Sequence, residues 1–506
     1  MVKVGALGAL LLLGCANVPT PVLVTSAPTT PGPVTIFIHG DLRGSLGPCG
    51  CSEHMRGGLS RFAHLVAEAR DGGATTLVFD TGNSLFDGQP IPDDAVAQQE
   101  RKAVAIAEVW RSLGLSGRSS QPADDARGAA FRSALKLPQL PSGAPAWFDS
   151  RAGRIAVIDA ASAESLRSGV SAARAQGAAF VLGIFHTDFS SSLRDGSGLE
   201  NADLIVVAPN DRQPTSDRNA RTASNSPPMV MLESKGRSVL EINLQFGPGE
   251  RFRLLESEGE TQRRLAALSE RIELNRAELN APGLSSETKA LRAAKLDELL
   301  ERRETLARSA VEAPPGERTF SFRFVPVESN IPDEAQAARV VRAYDEDVGR
   351  INVAEAKRRN ATCPPAPQVS ERYAGSASCA ECHDEEVAFW RKTKHASSLA
   401  ALVGVGKQHH LDCIGCHVTA WKQPSGPCRI DQLQAFDHVG CEACHGPGAQ
   451  HVESPEASNI GAGTAEETCR KCHDPDNSPH FKYATYRAQV VCVGHQRMAT
   501  QKVPKK

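Results

Sequence analysis

Charge of one sign is what this chain most lacks: 57 Lys and Arg against 59 Asp and Glu leave a formal net charge of −2 over 506 residues. Without a basic excess there is no electrostatic footprint for nucleic acid. Long apolar runs are missing too. The N-terminal run from Gly5 to Gly14 holds ten residues, too few to cross a bilayer as a helix, and nothing later in the chain reads as a membrane span. Methionine is scarce, five in all, with only Met498 beyond Met231, so thioether ligands are almost absent from the C-terminal half. What remains, 41 % hydrophobic and 23 % charged, is ordinary for globular protein, and the length predicts about three domains.

Cysteine is present in a pattern. Eight of the 14 cysteines fall into one signature repeated four times: Cys379-Ala-Glu-Cys382-His383, Cys413-Ile-Gly-Cys416-His417, Cys441-Glu-Ala-Cys444-His445 and Cys469-Arg-Lys-Cys472-His473. Each reads as a c-type haem attachment site. Two thiols three positions apart can each form a thioether to one porphyrin vinyl group, and the adjacent imidazole then reaches the iron from one face. A zinc site would rarely demand a histidine directly after the second cysteine four times over. Four haem c groups are therefore expected, with His383, His417, His445 and His473 as proximal iron ligands. With methionine scarce, a second histidine is the strong ligand at hand for the sixth position, and residues 371–506 hold 11 of the chain's 15 histidines. His395, in a predicted helix after the first motif, and His451, after the turn Gly446-Pro447-Gly448, are the first candidates for distal ligands. His410 and His480 are further candidates. His409 and His438 are weighed evenly against surface roles, and His495 stands apart.

The order Tyr-Ala-Gly-Ser-x-x-Cys-x-x-Cys-His, Phe-Trp-x-x-Thr-Lys-His-Ala, Cys-x-x-Cys-His-Val-Thr, Val-Gly-Cys-Glu-x-Cys-His-Gly-Pro-Gly-x-x-His and Cys-x-x-Cys-His-Asp-Pro-x-Asn-Ser-Pro-His-Phe resembles the cytochrome c-554 type of multihaem cytochrome. The resemblance covers residues 371 to about 487. It implies stacked and perpendicular haem pairs, mostly ligated by two histidines, in a mainly helical, loop-rich fold that transfers electrons. It also implies a distal role for His395, and that one haem can lack a sixth protein ligand.

Residues 1–15 read as a secretion signal, with Lys3 as its positive charge. Its end, Leu12-Leu13-Gly14-Cys15, resembles a bacterial lipoprotein cleavage box, with Cys15 as the lipidated residue and an incidental cysteine as the alternative. Either reading takes the protein out of the cytoplasm. Residues 16–33, rich in Pro and Thr, form a tether. This predicts a lipoprotein of the bacterial cell envelope, periplasmic or surface-exposed, anchored to the outer membrane.

From Val34 the pattern alternates strand and helix, predicting an α/β layered domain over 34–250. Expected strands are Val34–Ile38, Thr75–Phe79, Ile155–Ile158, Phe180–Phe185, Leu204–Val207 and Val239–Leu244, with helices at Leu59–Arg70 and Val104–Leu113. Gly40-Asp41-Leu-Arg43-Gly, Gly57-Gly58-Leu-Ser-Arg61, Phe79-Asp80-Thr-Gly82-Asn83 and the isolated His186 resemble, in that order, the motifs of calcineurin-like metallophosphatases of the 5'-nucleotidase branch. The departures are chemical. A two-metal site needs a dense set of carboxylate and imidazole ligands. Here Arg43 stands where that family has histidine, Asn83 where it has the bridging aspartate, and Ala208-Pro209-Asn210-Asp211 where it has Gly-His-x-His. No Gly-Asn-His occurs near Leu115–Gly128. The resemblance thus implies the fold with a degenerate, non-hydrolytic site. Pro48-Cys49-Gly-Cys51, with His54, reads either as a redox or metal pair or as thiols in structural disulfides with Cys363, Cys428 or Cys492.

Residues 257–310 read as a charged antiparallel helical hairpin, with Leu265, Leu268, Ile272, Asn275 and Leu279 on one seam, a break at Ala281-Pro282-Gly283, and Leu291, Leu296, Leu299 and Leu306 on the second helix. It would act as a spacer or a self-association element. Residues 318–362 are expected to be a connecting strand and helix, 371–490 the tetrahaem domain, and 491–506 a tail. The function these readings favour is electron transfer between redox partner proteins. The alternatives are a multihaem oxidoreductase of a small nitrogen, sulfur or oxyanion substrate at a five-coordinate haem, or a metal-dependent phosphoesterase.

Overall fold

A computed structural model describes residues 33–49, 55–150, 153–196, 198–209, 217–220, 226–255, 268–276, 279, 285–309, 317–463, 465–475, 477–478 and 481–491. The signal with Cys15, the tether, Cys51, His54, Asn210, Asp211, Leu265, the Ala281-Pro282-Gly283 break, His480, Cys492 and His495 lie outside these residues. Among the described residues no helix is long and apolar enough to cross a membrane.

The α/β part is built on two six-stranded sheets. In the first, Val34–His39 runs parallel to Thr75–Asp80, which runs parallel to Gly117–Arg118; on its other side Val34–His39 pairs antiparallel with Ser238–Gln245. In the second, Gly153–Ala160, Phe180–Phe185 and Leu204–Val207 are consecutive parallel neighbours, edged by Pro145–Ser150 and by Met229–Met231 with Arg218–Ala220. Side chains alternate between the faces of a strand, and the sequence uses both faces. Val34, Ile36 and Ile38 meet Ile155, Val157, Phe180, Leu182 and Ile184 of the second sheet in one core. Phe37, Val78 and Val239 point the other way, into a core closed by the helices Leu59–Asp71 and Val96–Ser112. Ala156, Ile158, Val181 and Ile205 of the second sheet pack under Ala163–Ala175. The result is four layers, helix–sheet–sheet–helix.

The segment expected to be a mere connector belongs to this domain. Thr319–Pro326 pairs antiparallel along all of Ser238–Gln245 and parallel with Arg253–Leu254, so it is a strand of the first sheet. The helix Ala335–Arg359 then lies on Leu59–Asp71 and Val96–Ser112, burying Ala337, Tyr344 and Val348 in the same core. An expected boundary at 250 misses this because the chain leaves the sheet and returns some 65 residues later.

Of the charged segment at 257–310, the described residues are helical at 268–276 and Ser286–Ser309. Ile272 and Leu299 are buried, while Leu291, on the second helix as expected, is 75 % exposed.

The C-terminal part is a set of short helices and turns, from Ser376–Cys379 to Tyr483–Val490. Among the described residues its apolar cluster has three buried members, Ile414, Val418 and Ile430, with Val387, Leu402 and Ala449 buried apart from it. Cys363 and Cys428 form a disulfide with Cα atoms 5.2 Å apart, joining the end of the long helix to this part. These are two of the partners considered for Cys49 and Cys51, and they have taken each other.

Candidate haem sites and the sheet-end cluster

The second and third motifs lie wholly in short helices, Leu411–His417 and Cys441–His445, whereas in the first and fourth the helix ends at or just after the first cysteine and the histidine follows in the turn. The ring nitrogens of these histidines are differentiated. His417 Nδ1 donates to the Ser398 carbonyl at 2.7 Å and His445 Nδ1 to the Gly461 carbonyl at 2.9 Å, while His473 Nδ1 meets Ser478 Oγ at 3.1 Å. A hydrogen bond at Nδ1 fixes the tautomer and leaves the Nε2 lone pair for a metal. His451, the candidate distal ligand, is prepared in the same way: its Nδ1 donates to the Glu456 carbonyl at 3.0 Å.

Two imidazole pairs face one another. The His383 and His451 ring centroids are 6.2 Å apart with planes 29° from parallel, and those of His395 and His473 are 6.3 Å apart at 45°. Two imidazoles bridging one metal need a separation of about 6 Å, from metal–nitrogen bonds of about 2 Å and roughly 1 Å from each nitrogen to its ring centre. These pairs have that spacing. Burial, with His473 beside it, holds His395 below the ordinary histidine pKa, and burial lowers His473 as well. Both shifts favour the neutral ring, the form that ligates.

The thiols also group. Cys379 is in hydrogen-bonding reach of Cys441, and Cys416 of Cys472, with Cys444 nearby. The first and third motifs are thus neighbours, as are the second and fourth. Thiols and imidazoles converging on a segment with almost no apolar core of its own fit a polypeptide that wraps haem.

The other histidines are placed elsewhere. His438 has both nitrogens engaged, Nδ1 with Asp437 and Nε2 with Ser376 Oγ, each at 2.9 Å, and packs against Trp390 with the rings tilted by 59°. His410 is buried against the long helix, 3.3 Å from the Asp345 carbonyl and edge-on to Tyr344. The structure does not bring it to face a proximal histidine. One functional residue is not signalled by motif reading: Glu442, buried inside the third motif, accepts from the backbone N–H groups of Ala374, Gly375 and Gly448 at 2.7–2.8 Å and ties three loops together. Its only sequence signal is an acidic residue between two haem cysteines.

In the α/β domain the expected site residues gather where the parallel strands end. Arg43 donates twice to Asp41, from Nη2 at 2.8 Å and Nε at 3.0 Å, so the cation is spent on the carboxylate a metal would need. Asn83 Nδ2 donates to the Pro209 carbonyl at 3.2 Å. His186 is held at both nitrogens, by Asp159 Oδ1 at 2.5 Å and by the Gln121 side chain. Behind them Arg118, fully buried, lies 3.4 Å from Asp80 and 2.9 Å from Asp124. Desolvation raises the Asp80 carboxyl to about 7 despite that guanidinium, while burial and Arg118 push the adjacent His39 down to about 3. Among the described residues no three His, Cys, Asp or Glu side chains converge as a metal site requires. A shallow pocket lined by Asp41, Thr81, Asn83, Pro209 and Ser234 remains at the surface. Of the Cys49–Cys51 pair, the structure shows only the Cys49 backbone, paired with Arg56.

Comparison with known proteins follows the same division. Residues 378–446 match the family described as cytochrome c554 and c-prime. This region is similar to cytochrome c-554-type domains. The match includes the first three motifs and stops before Cys469. Cytochrome c-554 of Nitrosomonas europaea is 28 % identical over 134 residues, covering 20 % of this chain and 57 % of that protein; the chain thus spans just over half the length of that relative. The similarity implies haem c. Solved structures similar to this one include sulfate thiohydrolase SoxB of Thermus thermophilus (12 % identity, TM-score 0.41, 64 % of this chain and 62 % of that one) and a 5'-nucleotidase precursor, also of Thermus thermophilus (11 % identity, TM-score 0.42, 74 % and 68 %). The calcineurin-like phosphoesterase YfkN of Bacillus subtilis is similar at 12 % identity and TM-score 0.39, over 62 % of this chain and 97 % of that one.

Proposed function

We propose that this chain is a tetrahaem c-type cytochrome that passes electrons between redox proteins outside the cytoplasmic membrane, held there by a lipid on Cys15. The observation that carries the reading is the pair of imidazole couples, His383–His451 and His395–His473, at 6.2 and 6.3 Å. Haem bound at the four motifs would supply one-electron iron couples. The chain's part is to hold each iron between fixed rings, so that little rearranges when the charge changes. The Cys363–Cys428 disulfide supports an oxidising compartment.

A second reading rests on His417. Among the described residues no second imidazole stacks opposite it, which favours an open iron position at the second motif and a small nitrogen, sulfur or oxyanion ligand there. Electron paramagnetic resonance of the oxidised protein, with the haem-to-protein ratio measured beforehand, tests both. Four low-spin haems support the carrier; a high-spin share of one haem, absent from a Cys413→Ala/Cys416→Ala variant, supports the open site. His395→Ala is expected to turn one low-spin haem high-spin with the haem count unchanged. A ratio below four overturns the tetrahaem reading itself.

A further inference from the structure

The second haem-attachment segment is one of the places where the cytochrome part meets the α/β domain; Lys422 with Asp94 is another. Lys102, from the middle of Val96–Ser112, places Nζ 2.6 Å from Asp412 Oδ2, and Gln99 donates to the other carboxylate oxygen at 3.1 Å. Asp412 is the residue before Cys413. Gln98, fully buried, accepts from the Leu411 N–H at 3.0 Å and from Asn352 Nδ2 at 2.6 Å; the same amide group donates to the His409 carbonyl at 2.7 Å. Lys407 reaches Asp345 at 3.6 Å. Lys102 also lies against Gly44, beside Arg43: a side chain at Gly44 would come within 3.2 Å of the lysine stem. Lys102 therefore sits between the loop at the sheet ends and the thioether position of the second motif. Its own side chain is 9 % exposed. The lysine charge therefore acts mainly through protein, where it is less screened, while the Asp412 side chain, 43 % exposed, is screened more by water.

We propose that the α/β domain sets the redox potential of the haem carried by Cys413, Cys416 and His417, through the Lys102–Asp412 pair clamped against that segment. This rests on the reading that the second motif holds haem. Lys102 and Asp412 are positioning residues: neither has to touch the iron, and each acts on it through the field at the attachment point. Reduction of a haem iron adds one electron and no bond is made or broken, so nearby positive charge favours the reduced form and negative charge the oxidised form. Removing one partner exposes the other, and the two single variants must therefore move the potential in opposite directions.

The experiment is a spectroelectrochemical titration of the full, haem-loaded chain and its Lys102→Met, Asp412→Asn and double variants at one pH and ionic strength. Lys102→Met leaves Asp412 uncompensated and is expected to lower one midpoint potential. Asp412→Asn leaves Lys102 uncompensated and is expected to raise the same one. Each shift should be on the order of tenfold in the reduced-to-oxidised ratio, about 59 mV for a one-electron couple, and the double variant should return near the original value. The couple that moves should be the one missing from Cys413→Ala/Cys416→Ala. A purely structural contact would move both single variants the same way or broaden every couple. Shifts of one sign, no shift, or shifts in another couple overturn the proposal. Loss of no couple on removing Cys413 and Cys416 overturns the haem reading instead, so the two failures are distinguishable. Unchanged haem ratios and unchanged remaining couples report that the variants fold.

Discussion

At the scale of single residues, the sheet-end cluster keeps the carboxylates of its strands and supplies their counter-charge from within. Asp80 is the clearest case, since desolvation lifts its folded pKa to about 7 from an ordinary 3.8. The native state therefore holds this proton more tightly than the unfolded chain does. Its contribution to stability is present below about pH 4 and is lost as the pH rises to about 7. Asn in its place mimics the protonated acid. The stability of Asp80→Asn relative to the parent should therefore climb by a few kcal/mol between pH 4 and pH 7 and stay flat above, read from denaturant titrations at each pH. A flat difference across that window would mean that Asp80 is ionised throughout, its charge balanced by Arg118. His39 works in the opposite sense: with a folded pKa near 3, its stabilising effect is full above about 6.5 and lost on acidification, so the parent's own profile is the sum of two opposed slopes and only the variant isolates one.

At the scale of elements, the short helices of the cytochrome domain are joined to the rest by few permanent links, and the Cys363–Cys428 bridge is the covalent one. It closes a span of 65 residues that includes the first two haem motifs. Opening such a loop in the unfolded chain gains entropy worth about 4 kcal/mol, and removal of native disulfides costs about 2–5 kcal/mol in practice. Cys363→Ser/Cys428→Ser should therefore unfold its haem domain at a lower denaturant concentration while the α/β domain's transition, followed by the fluorescence of Trp110 and Trp147, stays put. Coincident loss of both transitions would show the two parts to be one cooperative unit. The strands and haem motifs were legible in the sequence because their signals are local: an apolar run such as Phe180–Phe185 is buried along its whole length, and Cys-x-x-Cys-His needs no context. The return of Thr319–Pro326 to the first sheet was not legible, because strand pairing across the intervening helical segment leaves no trace in spacing. Arg118 and Lys102 were hidden for the same reason. Neither belongs to a motif, and only the fold supplies the carboxylates of Asp80, Asp124 and Asp412 that let them be buried. Of the histidines expected as distal candidates, His395 and His451 lie beside His473 and His383, whereas His410 packs against the long helix, a difference that spacing alone does not carry.

At the scale of the whole molecule, the two parts raise the question of whether the α/β half still performs chemistry of its own. The arrangement at its sheet ends argues against hydrolysis. A two-metal site works by drawing several anionic ligands around two cations about 3.5–4 Å apart. Here Asp41 is already bound at both oxygens by Arg43, Asp80 and Asp124 by Arg118, and both nitrogens of His186 by Asp159 and Gln121. A divalent ion would have to displace two guanidinium groups that cannot lose their charge, one of them fully buried. With Mn²⁺, Zn²⁺ or Mg²⁺ added to the full chain, hydrolysis of bis(p-nitrophenyl) phosphate should not exceed that of the metal alone. Turnover that tracks bound metal and disappears in Asp41→Asn would show instead that Arg43 swings away and that the site is latent. If hydrolysis is absent while the Lys102 and Asp412 variants move a haem potential in opposite directions, the α/β domain acts through the surface it presents to the second motif and not through a metal at its sheet ends.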